Sequence, residues 1–179
     1  MDVVFDIDGT LANAEHRLHF IKDPNFWITP RGTSLVPRKP DWESFLADEH
    51  VANDTPIPQT WKLMTLLLQE TDTRILFITG RPESSRPMTE TWLTTPCPVR
   101  APAVTSMATR AWPHMRSCPP LYMRHSGDRR PSHVVKSELL GHARGDGFNP
   151  MLVFEDRRED TAMWRKEGLL CCQVADGNY

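Results

Sequence analysis

The chain has 179 residues, 39% of them hydrophobic and 25% charged, with a formal net charge of −2. That length can bury one core, and no apolar run approaches the roughly 18 residues that would cross a bilayer, so no membrane-spanning helix is expected. Met1 leads directly into an apolar strand with no basic-then-apolar leader, so a cytoplasmic location is expected.

The four cysteines build neither a disulfide framework nor a zinc site. Cys171 and Cys172 are adjacent on an apolar strand and cannot both face one metal, while Cys97 and Cys118 lie far apart in a proline-rich stretch. Charge is unevenly spread. From Pro98 to Ser137 there are seven basic residues and one acid, Asp128, whereas Asp41 to Asp54 holds five acids and no Lys or Arg. A basic block in an acidic chain suits a local anionic ligand; before Arg124 it reads equally well as a solvated loop.

In chain order, Val3-Val4-Phe5 is a short apolar run, expected as a strand buried on both faces, and Asp6-Ile7-Asp8-Gly9-Thr10-Leu11 follows at once. Alone, the two carboxylates read as a polar strand end with one Asp capping a turn. Ala14, Leu18 and Ile21 share one helical face. Residues 23–55 then lose periodicity, punctuated by Pro24, Pro30, Pro37 and Pro40, with a helical turn only at Trp42–Leu46. They read as an excursion over the surface.

Pro56-Ile57-Pro58 opens a helix with Trp61, Met64, Leu67 and Leu68 inward. Arg74–Ile78 is a second strand, ending at Thr79-Gly80-Arg81-Pro82, and Glu83–Thr94 a helix with Met88, Trp92 and Leu93 inward. Residues 95–120 hold six of the sixteen prolines and no sustained period, the mark of a functional or mobile loop. Then come a strand at Leu121–Met123, a helix from His133 to about Ala143 capped by Ser132, a strand at Met151–Phe154 running into Glu155-Asp156, a helix at Thr161–Glu167 stopped by Gly168, and a last strand at Leu169–Val174. Strands alternating with helices predict an α/β sandwich on a mainly parallel sheet.

Ligands of such sheets bind beyond the carboxyl ends of the strands. Asp6, Asp8, Thr79, Glu155 and Asp156 all fall there, and Lys136 faces the same edge if the sheet is doubly wound. Several carboxylates sharing a site call for a hard cation, with Mg²⁺ the usual occupant. A metal and a lysine together suit an anionic substrate such as a phosphate ester, with a carboxylate free to attack phosphorus.

At these residues the chain resembles the haloacid dehalogenase (HAD) phosphatase superfamily. Asp6-Ile7-Asp8-Gly9-Thr10-Leu11 looks like its first motif, Thr79-Gly80-Arg81 like the second, Lys136 like the lysine motif and Glu155-Asp156 like the acidic motif. A closer likeness, to the 3′-phosphatase domain of bacteriophage polynucleotide kinases, is carried by Asp128-x-Arg130, Asp156-Arg157, Met163-Trp164-Arg165-x-x-Gly168 and Gln173-Val174-Ala175. The resemblance implies a HAD-like, Rossmannoid doubly wound fold with a small cap insert: one domain over residues 1–179, with cap-type inserts at about 12–55 and 95–120. It implies Asp6 as nucleophile, Asp8 as general acid and then base, and Lys136 holding Asp6 ionised. Thr79, Gly80, Arg81, Arg130 and Arg157 would bind the substrate phosphate, with Arg81 and Arg124 equally readable as surface ion pairs. Mg²⁺ would be held by Asp6, Asp8 (through its backbone carbonyl) and Asp156. Glu155 stands where that family commonly has Asp and carries less weight. Met163-Trp164 reads as helix packing.

The expected function is removal of a 3′-phosphate from nucleic-acid ends or nucleotides. The alternatives are a nucleoside 5′-monophosphate phosphatase and a binding module that holds nucleic-acid ends without turnover. No Gly-x-x-x-x-Gly-Lys phosphate loop occurs, so no kinase activity accompanies it. No obligate protein partner is inferable.

Overall fold

The computed structural model describes residues 1–22, 40–94 and 120–177, together with the backbone of two short strands between the first two spans. The elements in order are β1 (Asp2–Phe5), β2 (Ala12–Asn13), α1 (His19–Lys22), β3 (Trp27–Ile28), β4 (Leu35–Val36), α2 (Trp42–Phe45), α3 (Asp48–Val51), β5 (Thr55–Pro56), α4 (Pro58–Leu67) and β6 (Arg74–Pro82). Then follow α5 (Arg86–Thr94), β7 (Leu121–Arg124), α6 (Ser132–Gly145), β8 (Pro150–Glu155), α7 (Arg158–Lys166) and β9 (Leu170–Gln173).

Five strands pair in parallel in the order β7-β6-β1-β8-β9. The order reverses at β1, so the chain winds outward in both directions, and the crevice at that switch point is where doubly wound sheets bind ligands. Alternation along the strands builds two apolar layers. Val3, Phe5, Ile75 and Phe77 pack with Trp61, Met64, Trp92 and Leu93 of α4 and α5. Val4, Leu76, Ile78 and Val153 pack with Val135, Leu139, Leu140 and Trp164 of α6 and α7. Both faces of the sheet are therefore covered, which is why Val3-Val4-Phe5 in β1 is apolar without a break.

The small pairs β2–β5 and β3–β4 are antiparallel and lie outside the main sheet, as a small antiparallel insert. Residues 40–55 are more than a surface excursion, because Phe45, Val51 and Asp54 are buried. The single helix expected over residues 14–21 is replaced by a 3-10 turn at Glu15–Arg17 followed by α1, and the side chain that turns inward is Arg17. In α5 the buried polar position is Thr89, while Met88 is only partly covered. Ser132 does not cap α6; the cap position is Pro131, and the Ser132 hydroxyl is used elsewhere. The expected insert at residues 95–120 lies, except for Pro120, outside the described residues. No helix among the described residues is long and apolar enough to cross a membrane.

Candidate active site

Two charged clusters sit side by side at the carboxyl edge of the sheet, and the two aspartates that follow β1 belong one to each. Asp6 is held at the edge by its own N–H, which donates to the Phe154 carbonyl at 3.0 Å. Its carboxylate lies 2.9 Å from Lys136 Nζ, whose helix α6 packs across β6 and β7. Lys136 is buried and has two further carboxylates, Glu155 at 2.7 Å and Asp160 at 2.9 Å. Asp160 sits on the first turns of α7, four residues after Asp156, and its Oδ2 accepts from the Ser132 hydroxyl at 2.8 Å.

Asp6, Glu155 and Asp156, all buried, each offer a carboxylate oxygen within 4.8 Å of the others. Their hydrogen bonding separates them. Glu155 Oε2 accepts from Lys136 Nζ and from Trp164 Nε1 at 3.0 Å, and its Oε1 accepts from the N–H groups of Asp156 and Arg157 at 3.2 and 3.3 Å. With both oxygens engaged by protein donors, Glu155 suits a bracing role better than cation ligation. Asp156 is placed by its main chain, whose carbonyl accepts from Gln173 Nε2 at 2.9 Å and from the Gly177 N–H at 3.1 Å. Gly177 comes so close that a Cβ built on it would overlap the Asp156 carboxylate.

Three carboxylates on one ammonium, with Asp156 beside them, leave a local excess of negative charge, and the electrostatics follow from it. Burial first, then Glu155, pushes the Asp6 carboxyl well above the usual range; Lys136 pulls the other way, and Asp156 and Asp8 add to the rise. Burial disfavours the Lys136 ammonium, but Asp6, Glu155 and Asp160 more than offset it and keep the lysine charged. A buried carboxylate group of this kind fits a divalent cation bound through oxygen.

The second cluster surrounds Asp8. Arg81 Nη2 and Arg17 Nη2 each donate to Asp8 Oδ1 at 2.5 Å. Arg17 also forks onto Asp54 with two bonds of 2.7 Å, and Arg81 Nη2 reaches Asp54 Oδ2 at 2.7 Å. Arg17 is further fixed by the Phe45 carbonyl at 2.8 Å and by the Phe45 ring, whose centroid lies 4.2 Å from its guanidinium. Burial would raise the Asp8 carboxyl, but the two guanidiniums outweigh it and hold Asp8 well below the usual carboxylate range.

Thr79 is fully buried, its hydroxyl accepting from the Arg81 N–H at 3.3 Å, and the Gly80 carbonyl accepts from Arg124 Nε at 2.9 Å. Asp6, Asp156 and Lys136 are thus brought together, while Asp8 and Arg81 meet in the neighbouring cluster. Arg81, expected to touch phosphate, lies on Asp8 and Asp54. Arg157 is at the cap of α7; burial raises the Asp160 carboxyl, but Lys136 and the Ser132 hydroxyl, with a smaller part from Arg157, bring it below the usual range. Arg130 lies on the surface, paired with Asp128 at 2.6 Å and Glu138 at 2.7 Å. Arg17, Asp54 and Asp160 were not among the expected site residues. Arg17 left a signal, a charge in an otherwise apolar helical phase, whereas Asp160 left none, because Asp156 lies ahead of α7 and the two share no helical face. Asp54 is one of five acids in its stretch, and nothing in the sequence sets it apart.

Comparison with known proteins matches residues 41–179 to the family described as the polynucleotide kinase PNKP phosphatase domain. A chain from the "Pnkp1/Rnl/Hen1 RNA repair complex" is similar in structure, with a TM-score of 0.64 at 20% identity, over 99% of this chain and 43% of that one. A haloacid dehalogenase-like hydrolase from Streptococcus pneumoniae is similar with a TM-score of 0.57 at 12% identity, covering 95% of this chain and 82% of its own. A hydrolase from Streptococcus pneumoniae TIGR4 has a TM-score of 0.52 at 14% identity, covering 99% and 94%. The chain spans less than half the length of the two Pnkp1/Rnl/Hen1 chains it matches, 43% and 47%.

Proposed function

Since the chain belongs to the polynucleotide kinase PNKP phosphatase domain family, a HAD-type phosphatase family, we propose that it is a Mg²⁺-dependent phosphomonoesterase that removes 3′-phosphate from nucleic-acid ends through an aspartyl phosphate on Asp6. The observation that carries this reading is the buried Lys136–Asp6 contact with Asp156 beside it at the carboxyl edge of the sheet.

Asp6 attacks phosphorus, the bond to the leaving sugar oxygen breaks, and that oxygen takes a proton from Asp8. Asp8 then removes a proton from water, which attacks the acyl phosphate and releases inorganic phosphate and Asp6. Lys136 orients Asp6 and favours its anion, opposing the burial that disfavours it. Mg²⁺ would be held by Asp6 and Asp156 with the Asp8 main-chain carbonyl, and when bound it supplies the positive charge that buried carboxylates and phosphoryl oxygens both lack. Arg17 and Arg81 hold Asp8 ionised in the resting site, the form that acts as base. A phosphate dianion arriving beside Asp8 offsets the field of the two guanidiniums and restores the proton affinity an acid needs. Thr79, Gly80 and Arg157 are assigned to the phosphoryl oxygens, and Arg130, from the surface, to the adjoining chain. We assign the inserts at 12–55 and 95–120 as caps that choose what reaches Asp6.

The test is phosphate release with Mg²⁺ from four substrates: DNA and RNA oligonucleotides ending in 3′-phosphate, the 5′-phosphorylated oligonucleotides, 3′-mononucleotides and 5′-mononucleotides. RNA is included because a structural relative was solved as part of an RNA repair complex. Preference for 3′-phosphorylated oligonucleotides supports the proposal. Preference for 5′-mononucleotides would replace it with a nucleotidase, and binding of oligonucleotides without release from any ester would leave a binding module.

A further inference from the structure

We propose that Trp164 is a positioning residue of the reaction, its indole N–H fixing Glu155 so that Glu155 holds the Lys136 ammonium against Asp6. This rests on the reading of Lys136 and Asp6 as the groups that meet phosphorus.

Three tryptophans are buried among the described residues, and each needs an acceptor for its one polar atom. Trp61 Nε1 donates to the Leu11 carbonyl at 3.0 Å and Trp92 Nε1 to the Asp54 carbonyl at 2.9 Å, both main-chain acceptors. Trp164 instead donates to a buried side chain of the charged cluster, Glu155 Oε2, at 3.0 Å. That is the oxygen on which Lys136 Nζ sits, at 2.7 Å. Trp164 is itself fully buried, in the apolar layer with Val4, Val153 and Leu140, so packing fixes the direction in which its N–H points.

Glu155 needs such a guide. Phe154 pairs in register with Phe5, so Glu155 and Asp6 come next on adjacent strands, and their carboxylates approach within 4.8 Å. Like charges so near repel each other, and the longer glutamate side chain has the freedom to turn away. The main-chain N–H groups of Asp156 and Arg157 hold Oε1 only at 3.2 and 3.3 Å. Among the described residues, the side-chain donors to Glu155 are Lys136 and Trp164. A lysine on its four-carbon stem follows its acceptors, so the rigid indole is the group that places Oε2. Trp164 also lies one turn after Asp160 on α7, and Asp160 meets the same ammonium at 2.9 Å. One face of α7 therefore braces Lys136 at two points, through Glu155 and directly.

The test removes the N–H and keeps the ring. Benzothienylalanine, incorporated in place of Trp164 alone, has the shape of tryptophan with sulfur where the donor was. Its kcat/KM should fall about tenfold, on the scale of the 10–100-fold lost with groups that orient metal ligands. The loss should be equal on a 3′-phosphorylated oligonucleotide and on p-nitrophenyl phosphate, because Lys136 and Asp6 serve both esters. The same replacement of Trp61 is the control for losing a buried donor: it should lower the urea midpoint and leave kcat/KM unchanged. A merely structural role would make the two positions alike. Unchanged kcat/KM at position 164, equal losses at 61 and 164, or a loss confined to the oligonucleotide would overturn the positioning role alone, provided that Lys136→Met loses activity on both esters. Full activity in Lys136→Met would overturn the reading of Lys136 beneath it, and the proposal with it. Should the benzothienylalanine chain fail to fold, Trp164→Phe, which keeps an aromatic ring without the donor, is read in the same way.

Discussion

Asp6 and Asp8 are two residues apart, yet their surroundings pull them in opposite directions. Asp6 is buried and shares one ammonium with Glu155 and Asp160, and is pushed up, while Asp8 shares two guanidiniums with Asp54 and is held down. A single strand end thus supplies two carboxylates in opposite electrostatic settings, which suits the different roles proposed for them. Asp156 completes the first cluster, and Gly177 governs how much space it has. A methyl group at Gly177 would occupy the position of the Asp156 carboxylate, so Gly177→Ala should weaken Mg²⁺ binding by about tenfold or more, within the 10–100-fold typical of groups that orient ligands. The Mg²⁺ concentration for half-maximal activity measures this, and an unchanged value would show that Asp156 does not bind the cation in its present position.

At the scale of elements, the strands and helices that pack on apolar periodicity were legible, and those whose residues answer to charge were not. Val3–Phe5 in β1, Ile75–Ile78 in β6 and Val153-Phe154 in β8 are buried apolar runs, and α4 turns Trp61 and Met64 inward at the expected phase. The segment after Leu11 misled because a buried arginine pairs with Asp8 and Asp54, and no hydrophobic period encodes that. Asp6, Asp8, Lys136 and Asp156 could be read because strand ends and one helix gather them at a single edge. Asp54 and Asp160 could not, because only the folded chain shows which acids face a buried cation. Ser132 is the clearest case: its place before α6 suggested a cap, but its hydroxyl holds Asp160 against Lys136. Ser132→Ala should therefore lower kcat several-fold while costing only the ~1 kcal/mol of one hydrogen bond. Urea denaturation beside steady-state kinetics checks this; a stability loss with unchanged kcat would mean that the Ser132 hydroxyl serves the fold and not the site.

Across the whole molecule, the two ends of the sheet do different work. The carboxyl end gathers the charged clusters, and the amino end is tied by Asp2, whose carboxylate accepts two bonds from Arg74 at 2.7 and 2.6 Å and one from the Asn149 N–H at 2.6 Å. The Arg74 hydrogen bonds, with the Asn149 N–H and against the opposing effect of burial, hold the Asp2 carboxyl below its ordinary 3.8. Folded Asp2 thus binds its proton less readily than unfolded Asp2, so its contribution is complete above 3.8 and is lost as pH falls through the lower folded value. Comparing urea midpoints of the native chain and Asp2→Asn, the gap between them should narrow from pH 6 to pH 3; a constant gap would mean that Asp2 acts through packing alone.

The covalent intermediate proposed on Asp6 offers the most direct test. The enzyme, mixed with Mg²⁺ and a 3′-phosphorylated oligonucleotide and quenched in acid during turnover, is digested and its peptides are weighed. A hydroxylamine-labile phosphate on the peptide carrying Asp6, absent from Asp6→Asn, is the expected result. Continued phosphate release by Asp6→Asn, or a phosphoryl group on any other residue, would contradict it.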